Sequence, residues 1–269
     1  MNCIVCVKPV PDPRFWNQLV LEPKTKTLRR EGIPSVLNPL DRHALEEALQ
    51  IKERTGGRVT VLSMAPLSAV NSLREAISMG ADDAVLLSDK SFAGADTLAT
   101  SYVLAKAIKK LGSFDIIFCG NESLDGGTGQ VGPETAEFLG IPHVTFVRKV
   151  TIPDNGVIRA ERWMENASMT VEVKLPALLS VLQGINIPRH VSLARISVAM
   201  QTEITVWRLS DLDVDPTKIG LAGSPTQVAE LFMPETKRRG EIISGDPETA
   251  SNVLVRRLRE IGLSQFRSG

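Results

Sequence analysis

Short apolar runs alternate with helical patterns over the first part of the chain. The apolar runs are Cys3–Val7, Val59–Met64, Ala84–Leu87, Asp115–Cys119 and Val144–Val147. Short runs of this kind are typical of parallel strands that are buried on both faces. The helical patterns between them are Asp41–Arg54, Asn71–Met79 and Asp96–Leu111. This alternation predicts βαβ units, and therefore an α/β fold with an open, doubly wound, mostly parallel sheet.

The pattern changes after about residue 150. Further strands are predicted at Val157–Trp163, Met169–Val173 and Ala177–Leu182, where they close or extend the sheet. Beyond residue 200 the sequence has little periodicity, apart from a helical pattern at Glu248–Ile261. An extended arm of this kind needs a surface to lie on, either a partner chain or the chain's own domain. We therefore predict an α/β domain over residues 1–200 and an extended C-terminal arm over residues 201–269.

The charge balance and composition argue against several classes of function. The chain has 31 basic and 31 acidic residues, so it presents no strong field for nucleic acid or a membrane surface. Only 4% of the residues are aromatic, which is too few for a base-stacking platform. No apolar stretch approaches the ~20 residues that span a bilayer. The first residues have the pattern of a strand rather than of a targeting peptide. We expect a cytoplasmic protein without nucleic-acid binding or membrane insertion.

The cysteines and histidines do not predict a metal site. The three cysteines fall in apolar, strand-like runs, and the three histidines are far apart in the sequence. Buried structural thiols are the expected role of the cysteines. No serine elbow, Cys–His pair or carboxylate pair indicates a catalytic centre. The sequence therefore favours a binding module that positions the chemistry of another group over a hydrolase.

One glycine-rich loop follows the fourth apolar run and precedes a short helical pattern at 132–139. It contains G-x-G-x-x-G at Gly127–Gly132, but it does not come directly after the first strand, as a dinucleotide fingerprint would. Even so, Gly126, Gly127 and Gly129 permit positive φ and a close backbone approach to an anion. The positive end of the next helix points at the same place. The side chains of Thr128 and Gln130 add hydrogen-bonding groups. A phosphate site and a structural turn both remain open on these grounds.

Other polar residues follow the ends of predicted strands or begin helices. In an open parallel sheet, ligands bind outside the carboxyl ends of the strands. The stretch from Asn38 to Asp41 precedes a helix, with Asp41 as a good N-cap. Thr97 is either a helix cap or, together with Thr100 one turn later, a nucleotide contact.

Eight motifs in order resemble one known family. They are VKPVPD (Val7–Asp12), NPLDRHALEEAL (Asn38–Leu49), VTVLSMAP (Val59–Pro66), LREAISMGAD (Leu73–Asp82), ADTLAT (Ala95–Thr100), DGGTGQVGPETAEFLGIP (Asp125–Pro142), KLPALLSV (Lys174–Val181) and NIPRHVSL (Asn186–Leu193). The sequence resembles the beta subunit of electron transfer flavoprotein from residue 1 to about residue 200. The resemblance implies a Rossmann-like, adenine-nucleotide-binding fold. It also implies a heterodimer with an alpha subunit, on which the C-terminal arm would pack.

The resemblance implies an electron carrier rather than a stand-alone enzyme. The heterodimer would carry FAD and would exchange electrons with a partner of the acyl-CoA dehydrogenase type. A quinone reductase or a ferredoxin is the implied acceptor. The beta subunit would hold AMP or, in electron-bifurcating members, a second FAD that takes hydride from NADH.

The family's nucleotide contacts can be carried over residue by residue. They are Cys6, Asn38, Pro39, Leu40, Asp41, Met64, Asp125, Gly126, Gly127, Thr128, Gly129 and Gln130. The glycine loop would take the phosphates, and the first strand and the Asn38 stretch would hold the adenosine end. DGGTGQVGP resembles the bifurcating branch, although Gly127 stands where that branch usually has aspartate. The resemblance therefore favours a second FAD and leaves AMP open.

A second feature carried over is a docking loop at residues 186–196. Leu193 is its candidate anchor for a partner dehydrogenase, and an ordinary core leucine is the alternative. The sequence after it departs from the lysine-rich run of many members, so the partner set stays open. Trp163 either covers the edge of a flavin or fills a subunit interface.

Two other functions are compatible with parts of the pattern. One is a non-redox nucleotide sensor, such as a universal-stress-like domain. The other is a stand-alone NAD-dependent dehydrogenase, which the misplaced glycine motif and the missing proton-transfer residues disfavour.

Overall fold

The computed structural model describes residues 1–22, 27–29, 32–152, 156–230, 232 and 240–262. The chain divides into two compact units, Met1–Leu231 and Phe232–Gly269. The strands are β1 (Cys3–Cys6), β2 (Pro9–Pro11), β3 (Val20–Glu22), β4 (Thr27–Arg29), β5 (Ser35–Leu37), β6 (Val59–Met64), β7 (Asp83–Leu87), β8 (Ile116–Gly120), β9 (His143–Thr151), β10 (Val157–Met164), β11 (Ala167–Lys174), β12 (Ala177–Val181) and β13 (Thr205–Trp207). The α-helices are α1 (Pro39–Thr55), α2 (Val70–Met79), α3 (Thr97–Leu111), α4 (Val131–Leu139), α5 (Leu193–Gln201) and α6 (Pro247–Glu260).

Nine strands form one sheet in the order β11-β10-β9-β12-β8-β1-β6-β7-β13. All neighbours from β9 to β13 in this order pair in parallel. The pairs β9–β10 and β10–β11 are antiparallel and extend one edge. The predicted α/β fold with a doubly wound, mostly parallel sheet is confirmed.

Helices cover both faces of this sheet. Buried side chains of α1, α2 and α5 form one core cluster with Val5, Val61 and Phe118. Buried side chains of α3 and α4 form the other cluster with Ile4 and Leu62. Consecutive strand residues such as Ile4 and Val5 therefore face different helix layers, as the alternation of side chains along a strand requires.

The strand order reverses beside β1. From β1 the chain adds β6, β7 and β13 on one side, and β8, β12 and β9 on the other. The gap between β1 and β8 is therefore the topological switch point, where open α/β sheets bind their ligands.

Two features of the sheet go beyond the predicted strands. Strand β9 is nine residues long and its register against β12 shifts between Leu179 and Val181. Strand β13 pairs with β7 at the edge of the sheet, within the stretch predicted as an arm from residue 201. The first compact unit extends to Leu231, and it includes Leu212 and Ile219, which belong to the core cluster of α3 and α4. The predicted boundary at residue 200 between domain and arm stays a prediction.

The second unit contains α6, in agreement with the predicted helix at Glu248–Ile261. Asp246 caps α6 by accepting hydrogen bonds from the amides of Glu248 and Thr249 at 3.1 and 3.0 Å. Among the described residues of the whole chain, no helix is long and apolar enough to cross a membrane.

Candidate nucleotide-binding site

A cleft of about 1240 Å³ lies at the carboxyl ends of the central strands of the sheet. Its lining includes most of the residues that the sequence predicts as nucleotide contacts. These are Cys6, Asn38, Asp41, Met64, Thr97, Asp125, Gly126, Thr128, Gly129 and Gln130. The structure thus brings together, at the switch point, residues that are up to 124 positions apart between Cys6 and Gln130.

Three of the predicted contacts are not part of the cleft lining. Pro39 and Leu40 form the first turn of α1. A Cβ atom on Gly120 would lie 2.6 Å from the Cβ of Leu40, so Leu40 packs closely on the end of β8. Gly127 is exposed and has φ +63°, and no atom lies within 4 Å of where its Cβ would be.

The carboxylate of Asp41 ties α1 to two strand ends. Its Oδ2 accepts a hydrogen bond from the amide of Lys8 at 2.7 Å, just after β1. Its Oδ1 accepts one from the amide of Gly120 at 2.9 Å, at the end of β8. Burial raises the pKa of Asp41 to about 6, although these hydrogen bonds work in the opposite direction. The predicted N-cap therefore bonds to other elements instead of to the amides of its own helix.

Asn38 fixes the start of the glycine loop. Its side chain is buried and donates a hydrogen bond to the carbonyl of Glu122 at 2.8 Å. Its Oδ1 accepts one from the amide of Leu124 at 3.2 Å. Asn38 is the residue before α1, so the same short stretch holds both the helix and the loop.

The glycine loop begins with a turn and continues with amides that have no hydrogen-bond acceptor among the described residues. The amides of Gly126 and Gly127 both donate to the carbonyl of Ser123, at 3.2 and 2.8 Å. Among the described residues, no acceptor is found for the amides of residues 128–130. Gln130 begins α4 without a side-chain cap, so the positive end of the helix is open at the cleft. These groups can bind an anion.

Lys8 places a positive charge beside this loop. Its Nζ lies 2.7 Å from Oδ1 of Asp125 and 3.3 Å from Oγ of Ser123. Its side chain remains 46% exposed. Lys8 was not predicted as a contact, although its place directly after the first strand is the signal that could have identified it.

Thr97 joins α3 to the first turn of α4. Its hydroxyl lies 3.1 Å from Oε1 of both Gln130 and Glu134. Ser101, one turn later, donates to the other oxygen of Glu134 at 3.1 Å. The helix cap is Asp96, which accepts from the amide of Ala99 at 3.0 Å. Thr97 therefore lines the cleft and is not the cap.

The inner part of the cleft fits a bound group. Thr135 lines it and is only 1% exposed, and its hydroxyl has no hydrogen-bond partner in the part of the chain that the structure describes. A Cβ on Gly132 would lie 3.0 Å from Sγ of Cys119, so glycine favours the close approach of α4 to β8. An orphaned buried hydroxyl and an uncapped helix end both indicate a polar ligand.

The chain matches the electron transfer flavoprotein domain family over residues 25–212. It is 49% identical to the electron transfer flavoprotein subunit beta of Thermoanaerobacterium thermosaccharolyticum, over 96% of this chain and 98% of that protein. The beta subunit of Clostridium acetobutylicum is 46% identical over 97% of this chain and 98% of that protein.

The chain belongs to the electron transfer flavoprotein family, as a beta subunit.

A third relative from the same comparison is the caffeyl-CoA reductase-Etf complex subunit CarD of Acetobacterium woodii. It is 44% identical over 97% of this chain and 98% of that protein. Membership of the electron transfer flavoprotein family implies a role in electron transport, flavin involvement, an alpha-subunit partner and redox partners. The alternative of a non-redox sensor is not favoured by these matches.

The three cysteines of this beta subunit are buried or half-buried thiols. Cys3 and Cys6 have C-x-x-C spacing, but they lie on one strand and belong to opposite faces of the sheet. Cys6 lines the cleft beside Cys119, its register partner on β8. Burial raises the pKa of Cys6 to about 12 and also raises the pKa of Cys119. Both thiols are therefore protonated near neutral pH and are poor nucleophiles.

The two remaining predicted residues of this beta subunit lie on the surface. Leu193 begins α5 and is 85% exposed, so it is not a core leucine. Trp163 is 48% exposed on β10. Neither residue lines the cleft.

Proposed function

We propose that the cleft of this beta subunit holds an adenine nucleotide through its phosphate groups. With its alpha subunit and FAD, the protein would carry electrons between a dehydrogenase of the acyl-CoA dehydrogenase type and a downstream acceptor. That acceptor would be a quinone reductase or a ferredoxin.

One observation carries this proposal. The amides of residues 128–130, which have no acceptor among the described residues, and the start of α4 without a side-chain cap meet at the topological switch point of the sheet. Backbone amides at a helix N-terminus are a common arrangement for phosphate binding. Asn38 and Asp41 hold the loop and the strand ends in place around them.

The residues of the cleft have separate roles in this proposal. The loop amides and the dipole of α4 would bind the phosphates, and Lys8 would add positive charge. Cys6, Asn38 and Met64 would line the adenosine end. The flavin, when bound, supplies one-electron and two-electron transfer. The protein residues of the cleft would bind and orient it.

We further propose that the nucleotide is a second FAD rather than AMP. The loop sequence at 125–133 resembles the bifurcating branch of the family. The relative CarD is named as part of a complex with caffeyl-CoA reductase, which supports a redox partner that uses a CoA ester. A second FAD would let NADH donate to this subunit.

The loop can be tested with two matched glycine variants. Gly129 lines the cleft at φ +65°, and Gly140 ends α4 at φ +70° without lining the cleft. Valine strains both positions to a similar degree, because both have positive φ. We expect Gly129→Val to reduce the nucleotide held in this subunit at least tenfold, so that the count falls from two adenine nucleotides per heterodimer to about one. Gly140→Val should leave the nucleotide content near the wild-type value.

Bound nucleotide can be counted by mass spectrometry after the purified heterodimer is denatured. Equal nucleotide loss in both variants would indicate general destabilisation, and no loss in Gly129→Val would remove the loop from the site.

We also propose that Leu193 is an anchor for the partner dehydrogenase. The support for this is its exposure of 85% at the start of α5. Ile196, Val198 and Met200 of the same helix are exposed as well, and a cluster of exposed apolar side chains marks an interaction surface.

A further inference from the structure

Residues 186–192 form the segment that leads into α5. Side-chain contacts, rather than backbone–backbone hydrogen bonds, hold this segment in place. No backbone–backbone hydrogen bond involves residues 186–191 among those found in the described parts of the chain. Val191 packs on the core cluster of α1 and α2. Ser192 caps α5 by accepting a hydrogen bond from the amide of Arg195 at 3.3 Å. The polar contacts of Asn186 and Arg189 go to α1.

Arg189 makes the strongest of these contacts. Its Nε and one terminal nitrogen donate to the two oxygens of Glu46 at 2.8 and 3.0 Å. Its backbone amide donates to the same carboxylate at 3.2 Å. Its other terminal nitrogen lies 2.6 Å from Oε1 of Glu53. Burial tends to raise the pKa of Glu46, but the bonds from Arg189 and Gln50 hold that pKa below its ordinary value.

Asn186 makes a second connection to α1. Its amide nitrogen donates to the carbonyl of His43 at 3.0 Å and to Oε2 of Glu47 at 3.1 Å. Both Glu46 and Glu47 are buried, with 4% and 5% of their surface exposed. Removal of one partner of a buried ion pair is strongly destabilising, so these contacts fix the segment on α1.

Two large apolar side chains are exposed to solvent, one within the segment and one directly after it. Ile187 is 88% exposed and Leu193 is 85% exposed, on either side of Arg189. Arg189, anchored on α1, therefore lies between these two exposed side chains in the sequence.

We infer that Arg189 is a positioning residue for partner docking, which holds the segment on Glu46 so that Leu193 is presented in a single place. This inference rests on the proposed docking role of Leu193. A bidentate guanidinium–carboxylate pair fixes both the direction and the distance of the contact. A lysine ammonium in its place would not fix the direction. A segment that is ordered before binding loses less entropy on binding, and affinity rises accordingly.

The test uses the heterodimer and an acyl-CoA dehydrogenase that reduces the wild type when supplied with butyryl-CoA. The variants are Arg189→Ala, Arg189→Lys and the control Arg159→Ala. Arg159 also pairs with a glutamate, Glu172 at 2.7 Å, but on the exposed hairpin of β10 and β11. We expect Arg189→Ala to raise the KM for the heterodimer roughly tenfold with kcat unchanged, because ordering the segment then opposes docking. The KM of Arg189→Lys should lie between the values of the wild type and of Arg189→Ala. The KM of Arg159→Ala should match that of the wild type.

A double-mutant cycle with Leu193→Ala decides whether Arg189 acts through Leu193. If it does, Arg189→Ala should raise KM no further in the Leu193→Ala background. Amide hydrogen exchange should also speed up over residues 187–196 in Arg189→Ala and stay unchanged in the strands, which controls for folding.

The outcomes separate the two claims. An unchanged KM in Leu193→Ala would overturn the docking role and, with it, this inference. A raised KM in Leu193→Ala combined with a wild-type KM in Arg189→Ala, or with additive effects in the double variant, would overturn the inference alone.

Discussion

The carboxylate of Asp41 connects three parts of the candidate site. It bonds to the amides that follow β1 and end β8, and it sits in the first turn of α1. Its pKa is raised to about 6 by burial. The folded chain therefore holds the Asp41 proton more tightly than the unfolded chain does. The contribution of Asp41 to stability is complete below the ordinary carboxyl pKa and is lost as pH rises through about 6.

Replacement of Asp41 by asparagine should expose this pH dependence. Asparagine offers one oxygen and one NH2 group, so one of the two backbone amides would lose its acceptor and face another donor. Asp41→Asn should therefore destabilise the protein by about 1–3 kcal/mol. The free energy of unfolding of the wild type, relative to that of Asp41→Asn, should fall by roughly 2–3 kcal/mol between pH 4 and pH 7. Urea unfolding of the purified protein at both pH values measures this difference. A difference that does not change with pH would show that the buried carboxyl titrates normally.

Single residues of the cleft were predictable where a local pattern marks them. Asn38 and Asp41 precede a helical pattern, and the loop glycines form a visible cluster. The partners of these residues were not predictable, because hydrogen bonds such as Asn38 to Glu122 join positions that only the sheet order brings together. The same holds for Lys8 and Thr135, whose roles depend on burial and on neighbours from distant strands.

The packing of α1 on β8 is the element contact that shapes the cleft. A Cβ on Gly120 would lie 2.6 Å from both Oδ1 of Asp41 and the Cβ of Leu40. Real side chains do not approach this closely, so the start of α1 can reach the sheet only because residue 120 is glycine.

Gly120→Ala should therefore push α1 away from β8. We expect a loss of about 1–3 kcal/mol in the free energy of unfolding, as for other overpacked sites, together with weaker nucleotide retention. Gly240→Ala is the control, because no atom lies within 4 Å of a Cβ there and its φ is not positive. Urea unfolding and nucleotide content measure both effects. Equal stability of Gly120→Ala and Gly240→Ala would contradict the statement that α1 packs too closely on β8 for a side chain at residue 120.

The elements themselves followed the sequence patterns closely where those patterns were strong. Strand β6 coincides with the predicted Val59–Met64, and α3 differs from the predicted helix by one residue at its start. Strand β9 extends beyond Val144–Val147 because its exposed residues hide the strand pattern. Its register shift leaves Phe146 at φ +56°, with its amide bonded to Asn121 at 3.3 Å. A strand irregularity of this kind depends on tertiary contacts that a sequence pattern does not contain.

The whole first unit places its candidate site where its topology requires one. The cleft lies at the reversal of strand order, and α1 begins at that cleft. Further along, the same helix carries Glu46 and Glu47, which hold the segment before Leu193. Fold class and cleft position followed from the alternation of strands and helices. The anchoring of the segment on α1 did not, because residues 186–189 have no periodicity and meet α1 only in the folded chain.

The nucleotide content of the purified heterodimer tests the central claim most directly. The protein is denatured, and the released nucleotides are identified by mass and counted against the protein. We predict two adenine nucleotides per heterodimer, both FAD; one FAD with one AMP would keep the site and change its ligand. One FAD with no second adenine nucleotide would contradict the account, because the loop at 125–130 would then hold no phosphate.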